Sequence, residues 1–419
     1  MNVHWLFEAV IKPIMLYGVV VWWQALEKAS LRQQLEKVMR STALLITGAL
    51  RTTPSKALFT MLNWLPVDLL ARKLAMSTAA RLSVTGKWNQ CSIGHARIMD
   101  LISDNQYTVD YCIPVPSLVR RFQYLISSES EESLLPPINC FRVYTDGSKT
   151  TEGVGGGIFI EEFGTKISFR LNDDCSILQA EISAIRRAVN WLRYYRISNR
   201  DIRIYTDSQA AIKSLTGVFS TSKIVHECRT SLNEMARHSN ITLIWVKGHG
   251  ISYGNGIADT LARAGTMLSS IEIDQFCGIP LLAVKRQISE KCLCIARDLW
   301  SREHTCTTCR MLWPQLDPQR SKYLLGLQRP QLSRLISIIT GHCKFGNHAR
   351  RIGLPFNDYC RSCQNEDEEE TITHLLCDCP ALAEARFQTL GSNYFGDLTE
   401  LSNIKLERLL EFINLSNWV

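Results

Sequence analysis

Between residues 141 and 264 the hydrophobic pattern consists of short strands and helices, and their order constrains the fold more than any other feature. Three β-rich segments come first, at 141–145, 153–160 and 166–171. Helices at 177–195, from 208, at 224–238 and from 257 then alternate with two more strands, at 202–206 and 241–246. This order is typical of an α/β domain with a mixed five-stranded sheet.

Two aspartates in this region lie where the pattern does not favour a charge. Asp146 follows the first predicted strand and Asp207 follows the strand at 202–206. A lone carboxylate is costly to bury in a sheet, because it loses its hydration. Either aspartate alone could instead be a helix N-cap, a role that suits Asp207 better. Together they predict a shared site at the ends of two strands.

Two further acids lie on predicted helices. Glu181 is at helical spacing with Ile185 and Leu192, on the face expected to pack against the sheet, and no Lys or Arg lies one turn away on that face. Asp259 lies in the first turn of a helix predicted at 256–264, where the helix dipole alone favours an acid. A metal ion would offset the buried charge, and oxygen ligands favour Mg²⁺ or Mn²⁺ over zinc.

The motifs around these acids carry a specific resemblance. They are Y-T-D-G-S-K, L-Q-A-E-I, Y-T-D-S-Q and G-N-G-I-A-D, together with W-V-K-G-H-G at 245–250. Residues 138–270 resemble a type 1 ribonuclease H domain. The resemblance implies two Mg²⁺ ions flanking the scissile phosphate of an RNA strand paired with DNA. The implied metal ligands are the four acids Asp146, Glu181, Asp207 and Asp259.

The same resemblance assigns roles to three other residues. His249, between two glycines, would assist proton transfer or product release. Ser208 and Asn255 would contact the minor groove of the hybrid, where 2′-hydroxyl groups identify RNA. The family commonly has an acidic residue after Gly-Asn, whereas this chain has Gly256. Because Gly256 is outside the set of four acids, we expect weakened activity at most.

The length of 419 residues predicts more than one domain, and a hydrophobic fraction of 46% supports globular folding. Ser, Glu and a Pro-Pro pair before residue 138 indicate a linker. We therefore expect six segments: a helical region at 1–125, a linker at 126–137, the ribonuclease H domain at 138–270, a basic helical region at 271–345, a zinc-binding segment at 346–390 and a tail at 391–419.

The N-terminal region carries a second resemblance, through K-P-I-M-L-Y-G-V-V-V-W at 12–22, R-S-T-A-L-L-I-T-G-A at 40–49 and L-R-T-T-P-S-K-A-L at 50–58. It resembles the segment after the polymerase core in non-LTR retrotransposon reverse transcriptases of the jockey-like type. The polymerase motif [YF]-x-D-D does not occur, so this chain is not expected to copy nucleic acid by itself. We expect it to be the C-terminal portion of such a polyprotein.

The 15 cysteines cluster only near the C-terminus. A chain of this length is not typical of a disulfide scaffold, so most are expected to be free thiols in a reducing compartment. Cys360, Cys363, His374 and Cys379 give C-x2-C-x10-H-x4-C, a spacing that predicts a Cys₃His zinc site, with Cys377 as an alternative fourth ligand. The segment resembles the zinc-binding-like end of the same retrotransposon proteins. A helical hairpin without metal is the alternative.

Charge and hydropathy bear on the partners. The net charge is +7, and residues 285–361 hold 14 Lys/Arg against 5 Asp/Glu, which favours a nucleic acid partner, with a solvated helical linker as the alternative. The apolar stretch at 9–26 is interrupted by Lys12 and Pro13, and its uninterrupted part is too short to span a membrane. We expect no membrane partner and no signal peptide, so the chain is expected in the nucleus or the cytosol.

These observations predict an endoribonuclease that hydrolyses the RNA strand of RNA–DNA hybrids and leaves 5′-phosphate ends. The expected cofactors are two Mg²⁺ or Mn²⁺ ions, with Zn²⁺ in the C-terminal segment. The expected partners are the hybrid and, through the basic region, single-stranded RNA or DNA. Two alternatives are a catalytically silent nucleic-acid-binding remnant and a part of a larger reverse transcriptase.

Overall fold

The computed structural model describes residues 2–88, 93–101, 108–114, 116–126, 140–248, 253–269, 277–357 and 359–416. The chain divides into two compact units. The first comprises Met1–Met76, Ile93–Ile98 and Ile288–Val419, and the second comprises Ser77–Ser92 and Met99–Gln287. The N-terminal helices therefore share a unit with the C-terminal third of the chain.

The N-terminal part is helical. Its helices are α1 (Asn2–Leu6), α2 (Lys12–Met15), α3 (Val19–Trp22), α4 (Ala29–Thr47), α5 (Ser55–Met61) and α6 (Val67–Val84). Gly48, with φ +66°, ends α4 in a left-handed conformation. None of the described helices alone has the length and apolarity to cross a membrane, although the bent pair Val3–Met15 and Val19–Glu27 meets both criteria together.

The second unit contains a six-stranded mixed sheet, which confirms the predicted α/β fold and adds one strand to the five expected. The strands are β1 (Gln123–Leu125), β2 (Cys140–Lys149), β3 (Val154–Ile160), β4 (Thr165–Leu171), β5 (Asp201–Thr206) and β6 (Asn240–Trp245). Their order is β1-β6-β5-β2-β3-β4. Strands β2, β3 and β4 are antiparallel, whereas β1, β6, β5 and β2 run parallel.

Four helices belong to this sheet: α7 (Ile177–Tyr194), α8 (Gln209–Thr216), α9 (Lys223–Met235) and α10 (Tyr253–Thr266). Helix α7 begins with a capping box, in which the Ser176 side chain accepts from the Gln179 amide and the Gln179 side chain accepts from the Ser176 amide. Its apolar residues Ile182, Ile185, Val189 and Leu192 are buried, as the helical spacing predicts.

Two glycines allow helices to approach the sheet closely. A Cβ at Gly147 would lie 2.5 Å from the Glu181 amide nitrogen, so only glycine lets α7 pack on β2 at this point. A Cβ at Gly157 would overlap the Ala258 carbonyl oxygen of α10. Both helices that carry acids are therefore held against the central strands through glycines.

A segment before the predicted ribonuclease H boundary is part of this unit. The Asp110 carboxylate accepts hydrogen bonds from Gln179 Nε2 (3.0 Å), Ser222 Oγ (2.6 Å) and the Ile224 amide (3.0 Å). It thereby connects the starts of α7 and α9. The Cys112 amide also donates to the Thr221 carbonyl oxygen at 2.8 Å, and β1 pairs with β6 farther along this segment.

Replacement of Asp110 by Ala is expected to lower the free energy of unfolding by about 2–4 kcal/mol, because three donors lose a charged acceptor. Urea unfolding followed by circular dichroism measures the change. Asp173→Ala is the matched control, since Asp173 forms an exposed ion pair with Arg170 and should cost about 1 kcal/mol or less. Equal losses in the two variants would contradict the assigned role of Asp110.

The remaining helices are α11 (Leu281–Ser301), α12 (Thr307–Leu312), α13 (Pro318–Gly326), α14 (Arg329–Thr340), α15 (Gly346–Arg351), α16 (Ala383–Leu390) and α17 (Leu406–Ser416). Within the first unit α14 packs against α4, α12 and α17. Ser333 Oγ of α14 donates to the Gly48 carbonyl oxygen at 2.8 Å. This contact ties the N-terminal helices to the C-terminal ones.

Candidate active site and metal-binding cluster

The register of the parallel strands places two aspartates side by side. Tyr144 of β2 is paired with Tyr205 of β5, and Asp146 and Asp207 each follow two residues later. Strand β2 extends to Lys149, so Asp146 lies inside the strand rather than at its predicted end. Ser208 is the N-cap of α8, where its Oγ accepts from the Ala211 amide at 3.2 Å. The N-cap role considered for Asp207 therefore belongs to its neighbour.

Glu181 lies near Asp146 and Asp207 but comes from α7, the helix that packs on β2. Its side chain is 4% exposed and receives a hydrogen bond from Thr206 Oγ1 at 3.4 Å. The close approach at Gly147 brings this turn of α7 onto the strand that carries Asp146. The glutamate expected on the sheet-facing side of the helix is thus buried next to the strand ends.

Three of the four acids form a compact cluster, which we call the acid cluster: Asp146, Glu181 and Asp207. One carboxylate oxygen from each lies within 4.8 Å of the other two. At an effective dielectric constant of about 20, two charges at this separation repel by about 3 kcal/mol. Three ionised carboxylates are therefore unstable together unless a proton or a cation offsets their charge.

The pKa values of Asp146 and Glu181 reflect their burial first and the same repulsion second. Burial, followed by the charges of Asp207 and Asp259, raises the pKa of Asp146 to about 7. Burial, followed by the charges of Asp146 and Asp207, raises the pKa of Glu181 well above its usual value. Without a cation the raised pKa values favour the protonated forms of both groups, whereas a bound divalent ion favours their ionised forms.

Asp259 lines the same cavity but is outside the acid cluster. The cavity has a volume of about 240 Å³, and Gly147, Ser148, Asn255, Gly256 and Arg263 also contribute to its wall. Asp259 Oδ1 lies 3.1 Å from Arg263 Nε, one helical turn away. Helix α10 is described from Tyr253, so Asp259 lies beyond the first turn in which the sequence pattern placed it.

The donor set of the cavity suits a hard divalent cation. All four acidic side chains offer oxygen atoms, and Asn255, which is 4% exposed, has an Oδ1 atom without a hydrogen-bond partner among the described residues. A buried carbonyl oxygen left in this state is costly unless a ligand occupies the space in front of it. His249 lies outside the described residues, and Ser208 is half-buried at the start of α8.

Three residues of this site were not singled out from the sequence. Trp245 Nε1 donates to the Asp207 carbonyl oxygen at 3.0 Å, which positions the end of β5. Arg263 and Ser148 line the cavity. The i, i+4 spacing of Asp259 and Arg263 was a usable signal for their pairing. The contact of Trp245 was not predictable, since it depends on the register of β5 and β6, in which Trp245 is opposite Thr206.

The predicted zinc ligands come together in the first unit. One ligand atom from each of Cys360, Cys363, His374 and Cys379 lies within 4.8 Å of the others. Cys360 Sγ and Cys379 Sγ are 3.8 Å apart, and Cys363 Sγ is 3.5 Å from His374 Nε2. Four ligands at 2.0–2.3 Å from a tetrahedral zinc ion are separated by about 3.5–3.8 Å, so both distances match such a site.

The surroundings of this cluster hold its ligands in place. Asp378 Oδ1 lies 2.9 Å from His374 Nδ1, outside the direction of a well-formed hydrogen bond. A carboxylate near Nδ1 favours a proton there and leaves Nε2 as the metal-facing atom. The guanidinium of Arg386, 1% exposed, donates to the carbonyl oxygens of Leu375 (3.2 Å) and Cys379 (2.5 Å). Cys377 is buried but is not part of the cluster.

Comparison with known proteins bears on the second unit. A family model for RNase H matches residues 139–267, which contain β2–β6, α7–α10 and all four acids. A search of curated proteins gave no match. The matched segment is also the one whose sheet brings Asp146, Glu181 and Asp207 together. Residues 139–267 therefore form an RNase H domain.

Proposed function

We propose that this chain hydrolyses the RNA strand of RNA–DNA hybrids at the acid cluster, with two Mg²⁺ or Mn²⁺ ions as cofactors. The observation that carries the proposal is the convergence of Asp146, Glu181 and Asp207 within 4.8 Å in an RNase H domain. An RNase H domain implies binding of RNA–DNA hybrids and ribonuclease H activity in general. The acid cluster supplies a specific place for the reaction.

Each residue of the site has a part in the proposed reaction. The acid cluster and Asp259 would hold the ions, which when bound activate a water molecule and stabilise the leaving 3′-oxygen. Asn255 is buried in the cavity wall and would present its amide to the hybrid, and Ser208, the N-cap of α8, would contact the minor groove. The W-V-K-G-H-G motif supports His249 as the group that assists proton transfer.

The Arg263 side chain would change its partner when a metal ion binds. In the structure its Nε contacts Asp259, and this ion pair holds the fourth acid beside the cavity. A cation bound by Asp259 would compete with the guanidinium, which is half-exposed and able to turn toward a phosphate oxygen of the substrate. Arg263 would thus neutralise either the acid or the nucleic acid, depending on which is bound.

The energetics favour an active nuclease over a silent remnant. Three buried acids destabilise the metal-free fold through desolvation and mutual repulsion. A domain that only bound nucleic acid would gain nothing from this cost, since carboxylates repel phosphates. A site that holds cations needs the same arrangement.

The test uses the purified full chain and a hybrid with a 5′-labelled RNA strand. We expect Mg²⁺-dependent cleavage of the RNA strand into products with 5′-phosphate ends, and no cleavage of an RNA duplex or a DNA duplex of the same sequence. Asp146→Asn protein purified in parallel controls for contaminating nuclease. Absence of cleavage by the wild type, or equal cleavage by both proteins, would sink the proposal and leave the silent remnant as the better description.

We also propose that Cys360, Cys363, His374 and Cys379 bind one structural Zn²⁺ ion. The support is the agreement between the observed ligand separations and those of a tetrahedral site. With four protein ligands such a site is closed, so its contribution is to folding and not to chemistry. A zinc-stabilised segment next to basic helices suits binding of single-stranded RNA or DNA.

We also propose that this chain is the C-terminal portion of a jockey-like non-LTR retrotransposon polyprotein. The motifs at 12–22, 40–49 and 50–58 support it, as does the combination of an RNase H domain with a Cys/His cluster. Sequencing of the transcript tests it. An in-frame polymerase core upstream is expected, and a transcript that begins with residue 1 would contradict the proposal.

A further inference from the structure

A row of aromatic side chains lies on the surface of the second unit at the C-terminal end of α7. Phe163, Trp191 and Tyr195 follow one another, with ring centroids 5.6 Å and 4.3 Å apart, and Tyr194 continues the row at 5.1 Å from Tyr195. Phe163, Tyr194 and Tyr195 are 54%, 80% and 55% exposed. Contiguous exposed aromatic surface of this kind is uncommon unless a partner covers it.

Positive charge adjoins the tyrosine end of this row. Arg193, Arg196 and Arg237 line a cavity of about 550 Å³ together with His238. Arg193 contacts Glu234 at 2.8 Å, whereas Arg196 and Arg237 make no ion pair among the described residues. The two unpaired guanidinium groups are exposed and available to an anionic partner. We call the aromatic row and these arginines the α7-end surface.

The backbone at Arg196 provides an independent indication that its side chain has a role. Arg196 follows the last residues of α7 with φ +55°, in the left-handed region. Glycine or asparagine is the common choice at this position after a helix, because a Cβ atom is strained there. An arginine at a place where glycine would be more stable is explained if its guanidinium binds a partner.

The α7-end surface is separate from the acid cluster. Glu181 lies in the second turn of α7 and Tyr194 is its last residue, so about 20 Å of helix separates them. The basic segment at 285–361 contributes none of the residues that define this surface. None of its residues takes part in the proposed cleavage reaction.

We propose that the α7-end surface binds single-stranded nucleic acid, RNA or DNA, without selectivity for base or sugar. Exposed rings stack on unpaired bases, and adjacent arginines bind the phosphates between them. Duplex bases are already stacked on one another and have no free face for Tyr194 or Tyr195. A protein partner could contact the same aromatic side chains. Arg196 and Arg237, which form no ion pair among the described residues, favour a polyanion instead.

The test measures binding of fluorescent dT₁₅ and U₁₅ to the full chain without added Mg²⁺ or chelator, by anisotropy over a range of salt concentrations. Tyr194→Ala is expected to weaken binding at least about fivefold through loss of one stacking platform. Arg196→Gly is expected to lower the salt slope by about 0.7 and to leave the melting temperature equal or higher. A weaker-binding variant with unchanged or greater stability excludes misfolding as the cause.

Matched controls lie in the other unit. Tyr17→Ala removes a tyrosine that is 85% exposed, and Lys37→Gly removes one exposed cation, so both should leave the affinity unchanged. Photocrosslinking with 5-bromouracil oligonucleotides should give adducts at Tyr194 or Tyr195. Wild-type affinity in both variants with adducts only elsewhere would overturn the proposal. Equal competition by a blunt duplex, or self-association that Tyr194→Ala abolishes without any change in oligonucleotide binding, would overturn it as well.

Discussion

Replacement of Glu181 by Gln is expected to lower the rate of hybrid cleavage about 10³-fold and, at the same time, to raise the melting temperature of the metal-free protein. Loss of one metal ligand removes about 4 kcal/mol of transition-state stabilisation, which gives the rate factor. The neutral amide, by contrast, avoids both the desolvation of a buried carboxylate and its repulsion by Asp146 and Asp207. We expect a gain of about 1–3 kcal/mol in the free energy of unfolding.

Two measurements separate this expectation from a merely structural role for Glu181. Single-turnover cleavage measures the rate of the chemical step. Thermal unfolding with and without about 10 mM Mg²⁺ measures ion binding as a shift in melting temperature. The shift should be present in the wild type and much reduced in the variant. Glu152→Gln, at an exposed position, is the matched control and should change neither quantity. A destabilised Glu181→Gln protein would contradict the account of the acid cluster.

Replacement of Cys379 by Ser is expected to release the bound zinc and to destabilise the C-terminal part of the first unit by several kcal/mol. Structural zinc sites contribute their binding free energy to folding, on the order of 10 kcal/mol in small domains. Burial and the neighbouring Cys360 thiol raise the pKa of Cys379 to about 12, so without a metal its thiol remains neutral and contributes no thiolate charge. Metal content per chain, measured by plasma emission spectroscopy, should fall from one zinc ion to none.

Cys377→Ser is the matched control for this substitution. Cys377 is 1% exposed and two residues away, but the structure places it outside the ligand set. The Cys377→Ser protein should be less stable, because a buried apolar group is lost, and should still bind one zinc ion. Zinc retained by Cys379→Ser and lost from Cys377→Ser would identify Cys377 as the fourth ligand. Absence of zinc from the wild type would favour the metal-free helical hairpin.

Three of the four acids could be grouped from the sequence because Asp146, Glu181 and Asp207 are each anomalous in their local patterns. Asp146 and Asp207 interrupt strand-like segments, and the parallel register of β2 and β5 then places them side by side. Glu181 follows from the helical period of α7, which also determined its buried face. These strand and helix patterns involve residues close together in the sequence, so one sequence is sufficient to detect them. The mixed sheet was predictable for the same reason.

Other features depend on contacts between distant segments and left no local signal. Strand β1 has three residues, two of them exposed, and no apolar alternation to mark it. Asp110 looks like an ordinary polar loop residue, yet its partners are 69, 112 and 114 positions away. The helical residues from Tyr253 to Asn255 were missed because glycine and tyrosine are weak helix formers, and packing against β3 overrides that preference.

The short strand β1 also determines how this domain behaves when it is excised. In the chain β1 covers the outer edge of β6, whose backbone groups at 242–244 would otherwise face solvent. A fragment cut at the matched boundaries, 139–267, has a bare parallel edge strand rich in apolar residues, which can pair with the same edge of another copy. Such a fragment is expected to self-associate, whereas one that begins at residue 108 keeps the edge closed. The shortest fragment that keeps the RNase H domain from self-association is therefore expected to be longer than the segment matched by the family model.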